Sequence, residues 1–280
     1  MPKTIVNAIK QIQSEYTGGS SYISASGITK SPRIFHLEKR HGSKVDQDAS
    51  EFIWSLIGTL IHGILEKAAD YTEEARAEER LYKEVLGEVF SGQYDLIEGN
   101  TLYDYKVTSV WSVLKDHKFE WEAQANLNRL LLHEHGTEID NLEIVCILRD
   151  WQKTKAKIDK AYPQTQIKRV KLPVWSLERA DNYLIDKITE LQSHENTPDN
   201  ELPTCTQAEM WQDDTTYAVM KKGAKRASKL FQMPLEATIY AKQIGGYVEE
   251  RESIPKRCLD YCSVNKFCNQ FLESKYAKED

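Results

Sequence analysis

Apolar positions change period several times along the chain, and each change marks an element. Ile5, Ile9 and Ile12 recur at helical spacing over residues 3–15. Residues 49–69 carry Phe52, Ile53, Leu56, Ile57, Leu60, Ile61, Ile64 and Leu65, so the helix they predict should be largely buried. Phe119, Ala123, Leu127, Leu130 and Leu131 predict another over 117–135, and 176–192 reads as a further helix. Strands are expected at 81–85, within 89–107, at 141–148 and at 169–174; the run NLEIVCIL suits a strand buried on both faces, with Cys146 a small core residue. Ser24 or Ser26 could cap a short helix carrying Ile28, and Pro32 fits the first turn of another. Gly18-Gly19-Ser20-Ser21 reads as a flexible joint, and Glu73–Arg80 as a charged helix end or loop. The order of helices and strands predicts an α/β core with a mixed sheet. A polar linker with two prolines, residues 194–203, precedes a tail of different composition, which suggests a core at 1–195 and a C-terminal region at 196–280 packed on it.

The segment VFSGQYDLIEGNTLYDYKV at 89–107 reads as two strands around a Gly99-Asn100 turn. Glu98 then pairs with Thr101, Asp95 lies opposite Asp104, and Gln93 opposite Lys106, all four of these polar groups on one face. Opposed carboxylates repel unless a cation lies between them, and hard oxygen ligands suit Mg²⁺ or Mn²⁺. A solvated hairpin with a Lys–Asp pair is the plainer alternative. Gly58, His62 and Glu66 form one stripe on the 49–69 helix. Glycine costs about 1 kcal/mol in a helix interior, which close approach by another group would explain. From the residues alone, His62 reads as a packed or surface histidine.

The 280 residues carry a net charge of −6, which disfavours a passive nucleic-acid coat but allows an enzyme with a local basic groove. Lys153, Lys155, Lys157 and Lys160 form one basic stretch; Lys221, Lys222, Lys225, Arg226 and Lys229 form another, flanked by Tyr217 and Phe231. Each is also what a solvated face looks like. Arg33 is a candidate phosphate contact or a surface ion pair. No segment reads as a membrane span or a signal peptide, so a cytoplasmic location is expected. Five cysteines there are expected to be free or metal-bound, the last three as C-x3-C-x5-C at Cys258, Cys262 and Cys268.

Gly58-x3-His62, Gly92-x2-Asp95, Asp104-Tyr105-Lys106 and Gln124, in that order, resemble the PD-(D/E)XK nuclease superfamily, in particular its RecB-like branch of phage-type exonucleases and CRISPR-adaptation nucleases. The resemblance covers the core from about Ser24 to Leu148, and the tail is similar to phage-type members. It implies a restriction-endonuclease-like core and a Mg²⁺- or Mn²⁺-dependent DNA exonuclease. His62, Asp95, Asp104 and the Tyr105 carbonyl would hold the metal, Lys106 would act on the attacking water, Gln124 would position the site, and Glu66 would support His62. Lys222, Lys225 and Arg226 would grip DNA, and a recombination or single-strand annealing protein would be a partner. The resemblance also implies a 4Fe–4S cluster on Cys258, Cys262 and Cys268.

Two positions depart from the pattern. Asn128 stands where a tyrosine is common, and Ser31 stands where a cysteine precedes Pro-Arg, leaving Cys205 as the available fourth thiolate. Two other readings compete. One is a non-catalytic nucleic-acid-binding or recombination-partner protein on the same fold; the other is an adaptor in which Cys205, Cys258, Cys262 and Cys268 hold Zn²⁺.

Overall fold

The computed structural model describes residues 1–15, 21–46, 48–72, 75–114 and 118–278. The joint expected at Gly18–Ser20, residues 73–74 of the charged stretch, and the helix start expected at 117 lie outside them. The chain forms two units, residues 1–29 with 46–193, and residues 30–45 with 194–280. Residues 30–45 thus stand with the C-terminal unit, whereas the sequence groups them with the core.

Numbered along the chain, the elements up to the linker are α1 (Lys3–Glu15), β1 (Ile23–Ser24), α2 (Pro32–His41), α3 (Ile53–Ala69), β2 (Ala75–Ala77), β3 (Arg80–Val85), β4 (Glu88–Gln93), β5 (Leu96–Glu98), β6 (Thr101–Thr108), α4 (Phe119–Glu134), β7 (Asn141–Leu148), α5 (Lys153–Ile158), β8 (Ile167–Leu172) and α6 (Leu177–Ser193). All but α2 belong to the first unit. Its larger sheet has the order β2-β5-β6-β7-β8, with β6 and β7 parallel and the remaining pairs antiparallel. Parallel neighbours need a long crossover, and α4 supplies it. Ala123, Leu127 and Leu131 of α4 are fully buried, as are Leu142, Ile144 and Cys146 of β7. A second sheet, β1-β4-β3, completes a mixed α/β architecture with sheets flanked by helices.

Five local expectations change. The charged stretch Glu73–Arg80, expected as a helix end or loop, contains the strand β2, which pairs with β5. The 89–107 segment makes three strands, because the chain leaves the smaller sheet at Gln93 and enters the larger one at Leu96. The Gly99-Asn100 turn and the Glu98–Thr101 pairing hold, with Gly99 at φ +57. Gln93, however, pairs with Arg80 rather than facing Lys106. Ser24 lies in β1, and Ser31 caps α2 instead, accepting from the Ile34 amide at 3.3 Å with Pro32 in the first turn. The strand expected at 169–174 runs from Ile167 to Leu172, since Pro173 has no amide proton to extend the ladder.

The largest difference is α3. Among its described residues only Ala69 is buried, and Leu60 and Ile64 are exposed. One side of the helix meets α1, β2 and β6, which cannot cover an apolar surface that extends most of the way round. The most apolar 18 residues within Ala49–Ala69 have a mean hydropathy of 1.2, so this stretch is long and apolar enough to cross a membrane by length and composition, contrary to the sequence expectation.

The second unit contains α2, β9 (Thr216–Met220), β10 (Lys229–Phe231), α7 (Pro234–Ile244), β11 (Tyr247–Arg251), α8 (Lys256–Asp260) and α9 (Asn269–Leu272). Its antiparallel sheet, β10-β9-β11, packs Val219 against Ala237 and Ala241 of α7. A separate core joins Leu37 of α2 to Leu202, Val264 and Cys268.

Candidate functional site

The first site is a cleft of about 410 Å³ in the first unit. Five parts of the chain supply its central polar groups. α3 presents Gly58 and His62; the β2–β3 link presents Glu78; the β4–β5 link presents Asp95; β6 and α4 present Lys106 and Gln124. Gly92 explains how Asp95 comes to lie there. A Cβ on Gly92 would lie 2.2 Å from Asn128 Oδ1 and 2.7 Å from Leu131 Cδ1, so only glycine lets β4 approach α4 this closely. Asn128 then donates to the Gln93 carbonyl at 3.1 Å, fixing the point where the chain changes sheets. Asn128 therefore supports the backbone.

Asp95 Oδ2 accepts from the Tyr105 amide at 2.6 Å, which ties the link to β6 and leaves Oδ1 3.5 Å from His62 Nδ1. His62 is 27% exposed, and Glu78 Oε1 lies 3.9 Å from the same nitrogen. One ligand atom from each of His62, Glu78 and Asp95 can be chosen so that all lie within 4.8 Å of one another, a spacing that could hold a metal ion. The hydrogen bond to Asp95 raises the His62 pKa against the opposing effect of burial. Burial, then the charges of Glu66 and Asp95, push Glu78 up. Glu66 is exposed, and its influence is on Glu78 rather than as a hydrogen-bonded support for His62.

Asp104 is buried, and burial raises its carboxyl to about 6 despite the pull of Lys106. Lys106 Nζ donates to Oδ1 at 3.0 Å and stands 2.8 Å from Oδ2, but without hydrogen-bond geometry at the second oxygen, which is otherwise unpartnered. The same ammonium donates to Gln124 Oε1 at 3.3 Å. Burial alone would lower Lys106; Asp104 and Asp95 outweigh it and raise it. Asp104 lies outside both the cleft lining and the His62–Glu78–Asp95 group, with its Oδ2 facing the Lys106 ammonium; a histidine with two carboxylates at this spacing fits a hard divalent cation, and Glu78 stands in the group where the sequence placed Asp104.

Glu78 carries no signal in the sequence beyond its place in a charged stretch. Its backbone, at φ +42, is left-handed, and its amide donates to the Asp95 carbonyl at 3.3 Å. Arg80 holds Gln93 Oε1 at 2.7 Å, and Gln93 in turn donates to Glu78 at 3.2 Å. Gly58 meets nothing within 4 Å, so no protein group crowds it; it lines the cleft.

The second site lies wholly in the second unit. Cys205, Cys258, Cys262 and Cys268 line one cavity of about 40 Å³, with apolar walls from Ile34, Leu37, Val264 and Phe271. All five cysteines are free thiols, and Cys146 stands apart in β7. Burial, reinforced by Cys262, Cys205 and Cys268, pushes Cys258 up to about 12; Cys205 and Cys262 are also raised, mainly by burial. Ser31 Oγ lies 3.2 Å from Cys205 Sγ, so Cys205 places its thiol beside the serine. Arg33 is neither a phosphate contact nor a surface ion pair: it is 1% exposed and donates to backbone carbonyls in this unit. Lys222, Lys225 and Arg226 are exposed on the loop between β9 and β10, without an ion-pair partner among the described residues.

No protein-family model matches this chain, and no curated protein does. Among solved structures, SSO0001 is similar with a TM-score of 0.46 and 14% identity over 69% of this chain and 86% of its own. That degree of likeness assigns no activity.

Proposed function

We propose that the protein is a divalent-metal-dependent deoxyribonuclease of the PD-(D/E)XK type that degrades DNA from its ends. The observation that carries this reading is the convergence of His62, Glu78, Asp95, Lys106 and Gln124 on one open cleft, with Lys106 paired to the buried Asp104. His62, Asp95, Asp104 and the Tyr105 carbonyl would hold Mg²⁺ or Mn²⁺, and Glu78 joins them as a further carboxylate. A bound divalent cation supplies Lewis acidity toward phosphate and lowers the pKa of water.

The protein's own groups do the rest. Gln124 and Asp104 fix the Lys106 ammonium. Once the carboxylate charges are neutralised, burial becomes the dominant influence on Lys106 and lowers it, so the side chain can relay a proton from water. While charged, it offsets negative charge developing on the phosphate. Lys222, Lys225 and Arg226 contact the DNA backbone, and a recombination or single-strand annealing protein is the proposed partner. Cys205, Cys258, Cys262 and Cys268 hold a 4Fe–4S cluster, with Zn²⁺ the alternative.

End-labelled linear, nicked and circular DNA, incubated with Mg²⁺ or Mn²⁺ and with or without EDTA, test the reading. Linear DNA should shorten, intact circles should survive, and EDTA or Asp104→Asn should abolish the loss. Folded, metal-supplied protein that leaves all three substrates whole, or an Asp104→Asn variant as active as wild type, would overturn it.

A further inference from the structure

Arg33 is among the largest fully buried side chains of the protein, yet among the described residues it has no carboxylate in ion-pair range. Its guanidinium donates to four neutral groups: the carbonyls of Pro203 (3.0 Å), Asp199 (3.4 Å) and Leu202, and Oδ1 of Asn269. Hydrogen bonds satisfy its protons but pair its charge with no carboxylate at contact distance; Glu209, which lines the same cavity, is engaged by the Thr206 amide and hydroxyl, and a buried charge without a close opposite one is costly. The side chain is not pointed at random. Its Nη1 lies 3.9 Å from Cys268 Sγ, and Arg33 lines the same cavity as the four thiols. Arg257, half-buried and donating to the Glu209 carbonyl, lines it too.

Four thiolates around Zn²⁺ or around a [4Fe–4S]²⁺ core leave a net charge of about −2. We propose that Arg33 is the built-in counter-charge for an anionic, thiolate-ligated centre in this cavity. The proposal rests on the reading of the cysteines as ligands of a cluster, since among the described residues no three of their sulfurs lie within the 4.8 Å of one another that a single ion needs. It has a consequence on each side of loading. Without metal the thiols are protonated and neutral, and the buried Arg33 charge destabilises the second unit. With metal the same charge retains the centre.

The test is Asn269→Asp, an isosteric change that places a carboxylate on the guanidinium in the cavity wall. Purify wild type and variant anaerobically, and measure iron, acid-labile sulfide and zinc. Then follow metal loss to a chelator and thermal unfolding of the metal-free forms. Supplying the missing anion from the protein should raise the melting temperature of the metal-free variant. It should also speed metal loss by about tenfold or more, the effect of weakening one partly buried charge pair by ~1.4 kcal/mol. Arg33→Lys, which keeps the charge with fewer donors, should retain metal better than Arg33→Met. Wild-type protein that takes up neither iron nor zinc would remove the metal reading and this one together. Loaded wild type with an Asn269→Asp variant that keeps metal equally well would leave the metal reading intact and overturn the role of Arg33, which would then be a tie between carbonyls.

Discussion

Replacing Asp104 by asparagine tests the electrostatics of the cleft directly, because the substitution mimics the protonated acid in size and hydrogen bonding. In the folded protein burial raises this carboxyl from 3.8 to about 6, even with Lys106 alongside. At ~1.4 kcal/mol per pH unit, that rise corresponds to about 3 kcal/mol of destabilisation once the group is ionised in both states. Between the two values the folded state holds more protons than the unfolded chain, so stability falls as pH rises through the window. Metal-free Asp104→Asn should therefore be more stable than wild type by about 3 kcal/mol at pH 7.5 and by only about 1 kcal/mol at pH 4.5. Urea unfolding with a chelator present measures both. Adding Mn²⁺ should reverse the order, because wild type gains a ligand-linked term that the variant largely loses. A variant less stable than wild type at pH 7.5 without metal would refute the reasoning, since it would mean that Lys106 already satisfies the carboxylate.

Other substitutions separate stability from chemistry. Gly58→Ala faces open space in the cleft; it should stabilise α3 by about 1 kcal/mol while lowering cleavage, as calorimetry and nuclease assays would report. Ser31→Ala removes an α2 cap and the Cys205 hydrogen bond, so it should cost about 1 kcal/mol in denaturant titrations. Ser31→Cys combined with Cys205→Ser should regain metal lost in Cys205→Ser alone, read as iron or zinc per protein. Reversing Lys222, Lys225 and Arg226 should weaken DNA binding without regard to sequence. It should also flatten the plot of log affinity against log salt by roughly 2–3, as fluorescence anisotropy would show.

Much of the first unit was legible in the sequence because its signals are local. The run at Asn141–Leu148 has its expected bounds, and the Gly99-Asn100 turn fixes the register that brings Asp95 near Asp104. What periodicity could not reveal was long-range. Apolar spacing predicts that α3 has faces to bury, but not how many neighbours will reach them. Tyr94 and Asp95 mark a change of sheet that alternation alone cannot distinguish from one continuous strand. Glu78 enters the cleft through a left-handed backbone at a non-glycine residue, which no composition rule anticipates. Arg33 looked like any surface cation until the chain from 199 to 203 closed over it.

The second unit is assembled from two distant parts of the chain, and that affects how it is made. α2 leaves the ribosome early, but its core partners Leu202, Val264 and Cys268 lie beyond the linker. At typical synthesis rates of ~5–20 residues per second, the roughly 165 to 230 residues that separate Leu37 from these partners keep α2 waiting on the order of 10–50 s. During that interval Leu37 lacks its apolar neighbours and Arg33 lacks the carbonyls that receive its protons. Cleavage of the chain at the linker would not free two self-sufficient halves: the amino-terminal fragment would keep α2 as an orphan, and the carboxy-terminal fragment would have four thiols around a cavity with one wall missing.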